Sequence, residues 1–274
     1  MRYLPREDAP FGDKTWEMID EAVLGAAKSQ LAGRRLLEVT GPYGLGTRTL
    51  DEGEHDSGTQ ATEGEATAVL SAAPMIPVPL LRAEFSLNIR DIAAVEERGV
   101  PIHLGPASNA GMACARLEDR LVFQGDPSLG IGGMLTVQGA STVKIGDWGK
   151  LGQAADDLIA AANALDGAGF AGPYAAALAP RLYNALLLRY QQGNQTQLDH
   201  VRQLITAGLV KAPTLKEGGV VAAAGRQFAT IVIGQDMTTG FLGPAGASYE
   251  FVVMESVCPR ILVPQAVCVL QQGK

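Results

Sequence analysis

Three cysteines, three histidines and 5% aromatic residues in 274 positions leave little from which to build a reactive centre. Cys114, Cys258 and Cys268 stand far apart with no paired spacing. That excludes a disulfide scaffold and a cysteine-built zinc site, and it fits a reducing cytosol. Charged residues are also few, at 19% against the usual quarter or so, which hints that much of the surface is covered, most simply by further copies of the chain. Lys and Arg (22) are outnumbered by Asp and Glu (29), giving a net charge of -7, and no basic tract is longer than Arg34-Arg35. A nucleic-acid partner is therefore not expected, because neutralising phosphates needs a basic footprint. No apolar run approaches the roughly 18 residues of a membrane span, and the N-terminus lacks the apolar core and cleavage site of a signal peptide.

The motif inventory is equally thin. There is no H-E-x-x-H and no G-x-S-x-G elbow, and nothing orders Ser, His and Asp into a triad. Gly44-Leu-Gly46 lacks a third glycine and does not open a helix. Gly130-Ile-Gly-Gly133 lacks the G-K-[ST] ending of a phosphate loop. Tight turns explain both. His55 lies near Glu52, Glu54 and Asp56, where a solvated loop is preferred to a weak surface metal site. Glu118-Asp119 and Asp156-Asp157 are adjacent on helices, so their side chains diverge by about 100° and neither pair makes a dyad; solvated faces are expected. Asn194-Gln-Thr196 is a glycosylation sequon by chance, since no secretion is expected.

What the chain has is apolar bulk, 47%, enough for one large domain or two modest ones. Trp16, Ile19, Val23, Ala27 and Leu31 recur at helical spacing, with Asp13 as a cap and Gly33 as a stop. Leu36–Val39 reads as a strand and Gly41-Pro-Tyr-Gly44 as a turn. Residues 47–73 are polar with little to bury, either an open loop or an arm ordered by a neighbouring subunit. Leu80 to Ile89 alternates as a half-buried strand, Arg90–Arg98 is a short polar segment, and Ala107–Gly125 is helical. A helix over Trp148–Leu165 is capped by Asp147; a strand spans Tyr174–Leu178, and Pro180 opens a helix to Tyr190. Further on come a helix over Leu198–Ala207 and strands at 209–212, 220–223, 228–233, 249–256 and 261–270. This mixture suggests an α+β fold without internal repeats.

Several motifs together resemble the encapsulins, the nanocompartment shell proteins once classed as linocin-type bacteriocins. They are Tyr3-Leu-Pro-Arg-Glu-Asp-Ala-Pro10, Trp16, Ile19-Asp20, Gln30-Leu-Ala-Gly-Arg34, Val39 and Gly41-Pro-Tyr-Gly44. Downstream lie Leu80-Leu-Arg-Ala83-Glu-Phe-Ser-Leu87, Glu118-Asp119, Phe123-Gln-Gly125, Gly172-Pro-Tyr174 and Ile233-Gly-Gln-Asp236. The likeness is to family one and runs over nearly the whole chain. It implies the tailed-phage major capsid fold of the Hong-Kong-97 type. Residues 1–46 would hold the N-terminal helix and the start of a peripheral domain, 47–79 an extended loop, and 80–129 the peripheral domain with its long helix. Residues 130–223 would form an axial domain, and 224–274 a return to the peripheral domain.

The same resemblance implies a self-assembling icosahedral shell in the cytoplasm, without catalysis of its own. Its cargo would be a dye-decolourising peroxidase or a ferritin-like protein, held by a C-terminal targeting peptide on the inner wall. By position, Val23, Ala26, Ala27, Leu36, Val39 and Ile233 are candidates for the peptide groove, so Val23→Asp should leave shells intact and abolish cargo loading. Gln191, Gln192, Gly193, Asn194, Gln195 and Thr196 fall where the family lines its five-fold pore, and such a polar rim would pass small molecules with little charge selection. Some relatives are reported to carry flavin beside an aromatic residue after the long strand; that position is Arg90 here, so no cofactor is expected. Two alternatives stand at this point. One is a phage or prophage capsid protein packaging DNA, against which the acidic balance speaks. The other is a soluble α/β hydrolase without a recognisable motif.

Overall fold

The computed structural model describes residues 5–51, 57–63, 66–72, 75–190 and 194–273. The stripe Trp16, Ile19, Val23 and Ala27 forms the buried face of α1 (Asp13–Lys28), and Leu31 is buried just beyond it. Asp13 is the first helical residue, not the cap: extended Gly12 holds that place. The missing side-chain cap comes from elsewhere, because Glu96 accepts hydrogen bonds from the Gly12 amide and the Thr15 hydroxyl. A carboxylate there also faces the positive end of the helix dipole. Gly33 opens α2 (Gly33–Leu36) instead of ending α1, and β1 (Glu38–Thr40) starts two residues later than expected.

The described part of the polar insert is strand. β2 (Thr49–Asp51) pairs antiparallel with β5 (Met75–Pro77), and β3 (Ser57–Glu63) with β4 (Ala66–Ala72). Val69 and Leu70 of β4 are 61% and 76% exposed, and a two-stranded ribbon is marginal on its own, so the ribbon needs a surface to lie on. The reading of His55 and its acidic neighbours 52–56 lies outside the described residues.

β6 (Leu80–Asn88) alternates as the sequence predicts, with Leu81, Phe85 and Leu87 inward. The following polar segment is helical, α3 (Ile89–Arg98). The Asn88 side chain accepts from the Arg90 amide, left-handed Gly99 closes the helix, and Ile92 and Val95 bury one face. α4 (Gly105–Gln124) is the expected long helix. After the two-residue strands β7 (Gly125–Asp126) and β8 (Ile131–Gly132) come β9 (Ser141–Ile145), α5 (Gln153–Gly167), β10 (Tyr174–Leu178), α6 (Pro180–Ala185), α7 (Gln197–Leu204), β11 (Gly208–Lys211) and β12 (Gly219–Ala223). The chain ends with β13 (Ala229–Ala245), β14 (Ser248–Ile261) and β15 (Val267–Gln272).

Several expected boundaries move. α5 starts at Gln153: Trp148 lies before it, with its indole N–H donated to Asp157, and Asp147 accepts from the Gly149 amide instead of capping a helix. α6 stops at Ala185, short of Tyr190. The strand expected over 261–270 splits, because β14 runs to Ile261 and a turn at Pro264–Ala266 precedes β15. β13 is far longer than the segment 228–233; Gly234, Gly240 and Gly243 hide its alternation, and the ladder with β14 slips at Ile233/Gln235, Gln235/Thr238 and Phe241/Gly243.

Two sheets organise the molecule. One has the order β1-β13-β14-β6, the other β11-β10-β12-β15-β9. Most pairs are antiparallel; β1 with β13, β10 with β11 and β15 with β9 are parallel. This is the α+β class expected. A division after residue 223 would put Val267–Gln272 with β13 and β14, but hydrogen bonding puts it in the five-stranded sheet, between β12 and β9. α4 packs on β6 and β14, α1 packs against α4 and also reaches β13, and α5 covers β9, β12 and β15. Although aromatics are scarce, six of them (Phe11, Trp16, Phe85, Phe241, Tyr249 and Phe251) gather where α1 meets the four-stranded sheet. No helix of the described residues is long and apolar enough to cross a membrane.

Candidate functional site

The short stretch from Leu31 to Gly44 is where elements distant in sequence meet. Asp119 on α4 accepts from the Ala32 and Gly33 amides at 2.9 and 2.8 Å, which satisfies the otherwise unpaired start of α2. Burial pushes the Asp119 carboxyl up to about 6 in spite of those two amides. One residue away, Glu118 takes Arg34 in a two-point contact, Nε to Oε1 at 2.8 Å and Nη2 to Oε2 at 3.0 Å. Arg34 Nη1 reaches Asp236 on β13 at 2.9 Å, and Nη2 also contacts Glu255 on β14. Next to this network, the turn Gly41-Pro-Tyr-Gly44 lies on β13, with the Tyr43 amide donating to the Ile233 carbonyl at 3.0 Å. Gly41 has φ 106°, and a Cβ there would stand 2.3 Å from the same carbonyl, so only glycine fits.

The solvated face expected for Glu118-Asp119 is therefore wrong: both side chains are fully buried. A signal for Glu118 was present. It sits on the apolar stripe Gly111, Ala115, Glu118, Val122 at spacings of three and four, and Arg34 is the cation that makes its burial tolerable. Asp157 is buried as well, accepting from the Gly146 amide, Trp148 and Gln153, whereas Asp156 is exposed as expected.

The six groove candidates separate. Val23 and Ala27 lie on the face of α1 packed against α4, and Val23 is 0% exposed. α1 and α4 approach to near backbone contact there, since a Cβ on Gly111 would be 2.4 Å from the Val23 carbonyl oxygen. Ala26 is half-buried on α1. Ile233 is buried within β13. Leu36 and Val39 line a cavity of about 460 Å³ whose near wall is Arg34–Val39 and whose far wall is the alanine-rich ends of β10 and β12, Ala175, Ala222 and Ala223. Leu36 is buried, and Val39 is 44% exposed. The cavity wall from β10 and β12 was not foreseen, because alanines in a buried strand carry no sequence signal for a site.

Of the pore-loop candidates, Gln191, Gln192 and Gly193 lie outside the described residues. Asn194 and Gln195 are exposed, and Thr196 caps α7 in a reciprocal arrangement with Asp199. The Tyr190 amide donates to the Gln195 carbonyl, closing the base of the loop. Arg90 is exposed on the first turn of α3.

The charge network holds and positions the α2 segment. Burial pushes the thiols of Cys114 and Cys258 up to about 12 and that of Cys268 to about 11, so they stay protonated and unreactive. Among the described residues no three His, Cys, Asp or Glu side chains are grouped to hold a metal ion.

The comparison with known proteins agrees with this picture. The family described as "Encapsulating protein for peroxidase" matches residues 1–258. The type 1 encapsulin shell protein EncA of Myxococcus xanthus is 32% identical over 98% of this chain and 96% of its own length. The crystal structure of a virus-like particle from Pyrococcus furiosus superposes with a TM-score of 0.72, at 23% identity, over 94% of this chain and all of that one. The capsid of Myoviridae phage XM1 superposes with a TM-score of 0.62, at 12% identity, over 89% and 92%, which extends the shared fold to tailed-phage capsids. The family match over residues 1–258, with a relative 32% identical over nearly the whole of both chains, shows that the chain belongs to the encapsulin shell proteins.

Proposed function

We propose that copies of this chain close into an icosahedral shell of on the order of sixty subunits or more, and that the cavity beside Val39 holds a short C-terminal segment of an enclosed protein. The observation that carries the second half is the cavity itself: an alanine-lined hollow with a partly exposed valine at its mouth, built from the segment that the buried charge network fixes in place. A hollow of this kind takes aliphatic side chains. Each site is weak, and many sites on one inner wall raise the effective concentration. The family description points to a peroxidase as cargo, and a ferritin-like protein suits the same arrangement. The shell works by compartmentation in the cytoplasm, admitting small molecules through the 191–196 loops, with neither catalysis nor flavin of its own.

The phage reading has only likeness of fold for it, and 29 acidic against 22 basic residues oppose a DNA-filled interior. Among the described residues no arrangement of side chains supports the hydrolase reading.

Val39→Asp tests the cavity. It adds a carboxylate beside Glu38 at a partly exposed position, so the chain should still fold and assemble. Lodging apolar side chains against the new charge should cost about 1–3 kcal/mol, which weakens cargo binding at each site by about fivefold to about 150-fold and lowers cargo co-purification. Intact shells with unchanged cargo content would remove the cavity from the account.

A further inference from the structure

Arg34 brings one positive charge to two carboxylates that are both 0% exposed, Glu118 and Glu255; its third partner, Asp236, is 61% exposed and shared with water. Two buried negative charges on one cation leave an excess that a protein interior does not tolerate, and the cheapest remedy is a retained proton. Geometry assigns it. Glu118 offers both oxygens to the guanidinium, as a carboxylate does. Glu255 offers only Oε1, its buried Oε2 accepts no hydrogen bond among the described residues, and its side chain lies within hydrogen-bonding reach of Glu118, a contact that two carboxyl groups make only when one of them keeps a proton. We propose that Arg34, Glu118 and Glu255 form a one-proton latch on the α2 segment, tight in acid and progressively looser toward alkali. Because Arg34–Val39 is one wall of the cavity, the latch also sets that wall, whatever the cavity holds.

Burial, and then the charge of Glu118, push Glu255 up to about 9 against the pull of Arg34, from 4.5 in an open chain. A raised carboxyl binds its proton more tightly when closed than when open. The closed state is thus favoured most below about pH 4.5, and opening gains about tenfold per pH unit from there until pH passes about 9. Of the other groups facing the site, only Asp119 titrates inside that window, below the range of about pH 6.5 to about pH 8.5 used in the test. Asp119 is raised only to about 6, Cys114 lies at about 12, and Arg34 is pushed further up by its three carboxylates.

Hydrogen exchange on the assembled protein, corrected for intrinsic rates, reads the latch through the Leu36 and Leu37 amides, which donate to Ala32 and Gly33 within α2. Their protection should fall about a hundredfold between about pH 6.5 and about pH 8.5, and Glu255→Gln should abolish that slope. Protection independent of pH in the natural chain, or a slope that survives Glu255→Gln, overturns the latch. Should the variant fail to assemble, infrared spectra of the natural shell decide: a protonated-carboxyl band present near neutral pH and lost above about pH 9 supports it, and no such band at neutral pH overturns it.

Discussion

Arg34→Ala is expected to abolish soluble shells. The substitution leaves the Glu118 carboxylate fully buried with no counter-charge beside the protonated Glu255, and it cuts α2 from β13 and β14, leaving only the Asp119 contacts to α4. Removing one partner from a buried ion pair costs about 3–5 kcal/mol, mostly as the penalty on the charge left behind. A typical domain has only about 5–15 kcal/mol in hand. Thermal unfolding and size exclusion would show the loss as a transition lowered by many degrees and chain diverted to aggregate. The cause is separable from lost packing: adding Glu118→Gln and Glu255→Gln to Arg34→Ala removes the stranded Glu118 charge and the titratable group beside it, and should recover most of the soluble yield. Failure of that triple variant to improve on the single one would locate the damage elsewhere.

Val23→Asp is expected to be nearly as damaging, which reverses what position along the chain suggests. Val23 is wholly enclosed between α1 and α4, at the point where Gly111 lets the two backbones almost touch. An aspartate there has no partner and must be neutral to stay buried. Protonating a carboxyl of ordinary pKa at neutral pH costs about 4 kcal/mol, and lost apolar burial adds about 1.5. Stability should therefore fall by roughly 4–6 kcal/mol at neutral pH, and recover by several of those on acidification toward about pH 4. Shells that form normally with Val23→Asp, yet lack cargo, would restore Val23 to the groove and contradict the burial described above.

The sequence shows best what is periodic. The stripe on α1 and the alternation of β6 stand at their expected places because each buries a single face, and burial of one face is what periodicity reports. Elements broken by glycine are harder to read: β13 passes Gly234, Gly240 and Gly243 and its ladder with β14 shifts register three times, which removes the alternation that would mark a strand. α3 was missed as a helix although Asn88 and Gly99 mark both ends, since a polar surface helix shows few apolar residues. The charge network was legible only in pieces. Arg34, Glu118 and Asp236 are scattered over about two hundred residues, and nothing local says that a carboxylate on an apolar stripe has a distant arginine waiting for it. The cavity was the least visible, because half its lining is alanine, the residue with the least to say about its surroundings.

The identification rests on closure of many copies into a hollow particle, and electron microscopy of the purified full chain tests it most directly. Uniform, closed, icosahedral particles whose interior is empty or filled with protein are the expected result. A monomer or small oligomer, or particles packed with nucleic acid, would contradict it.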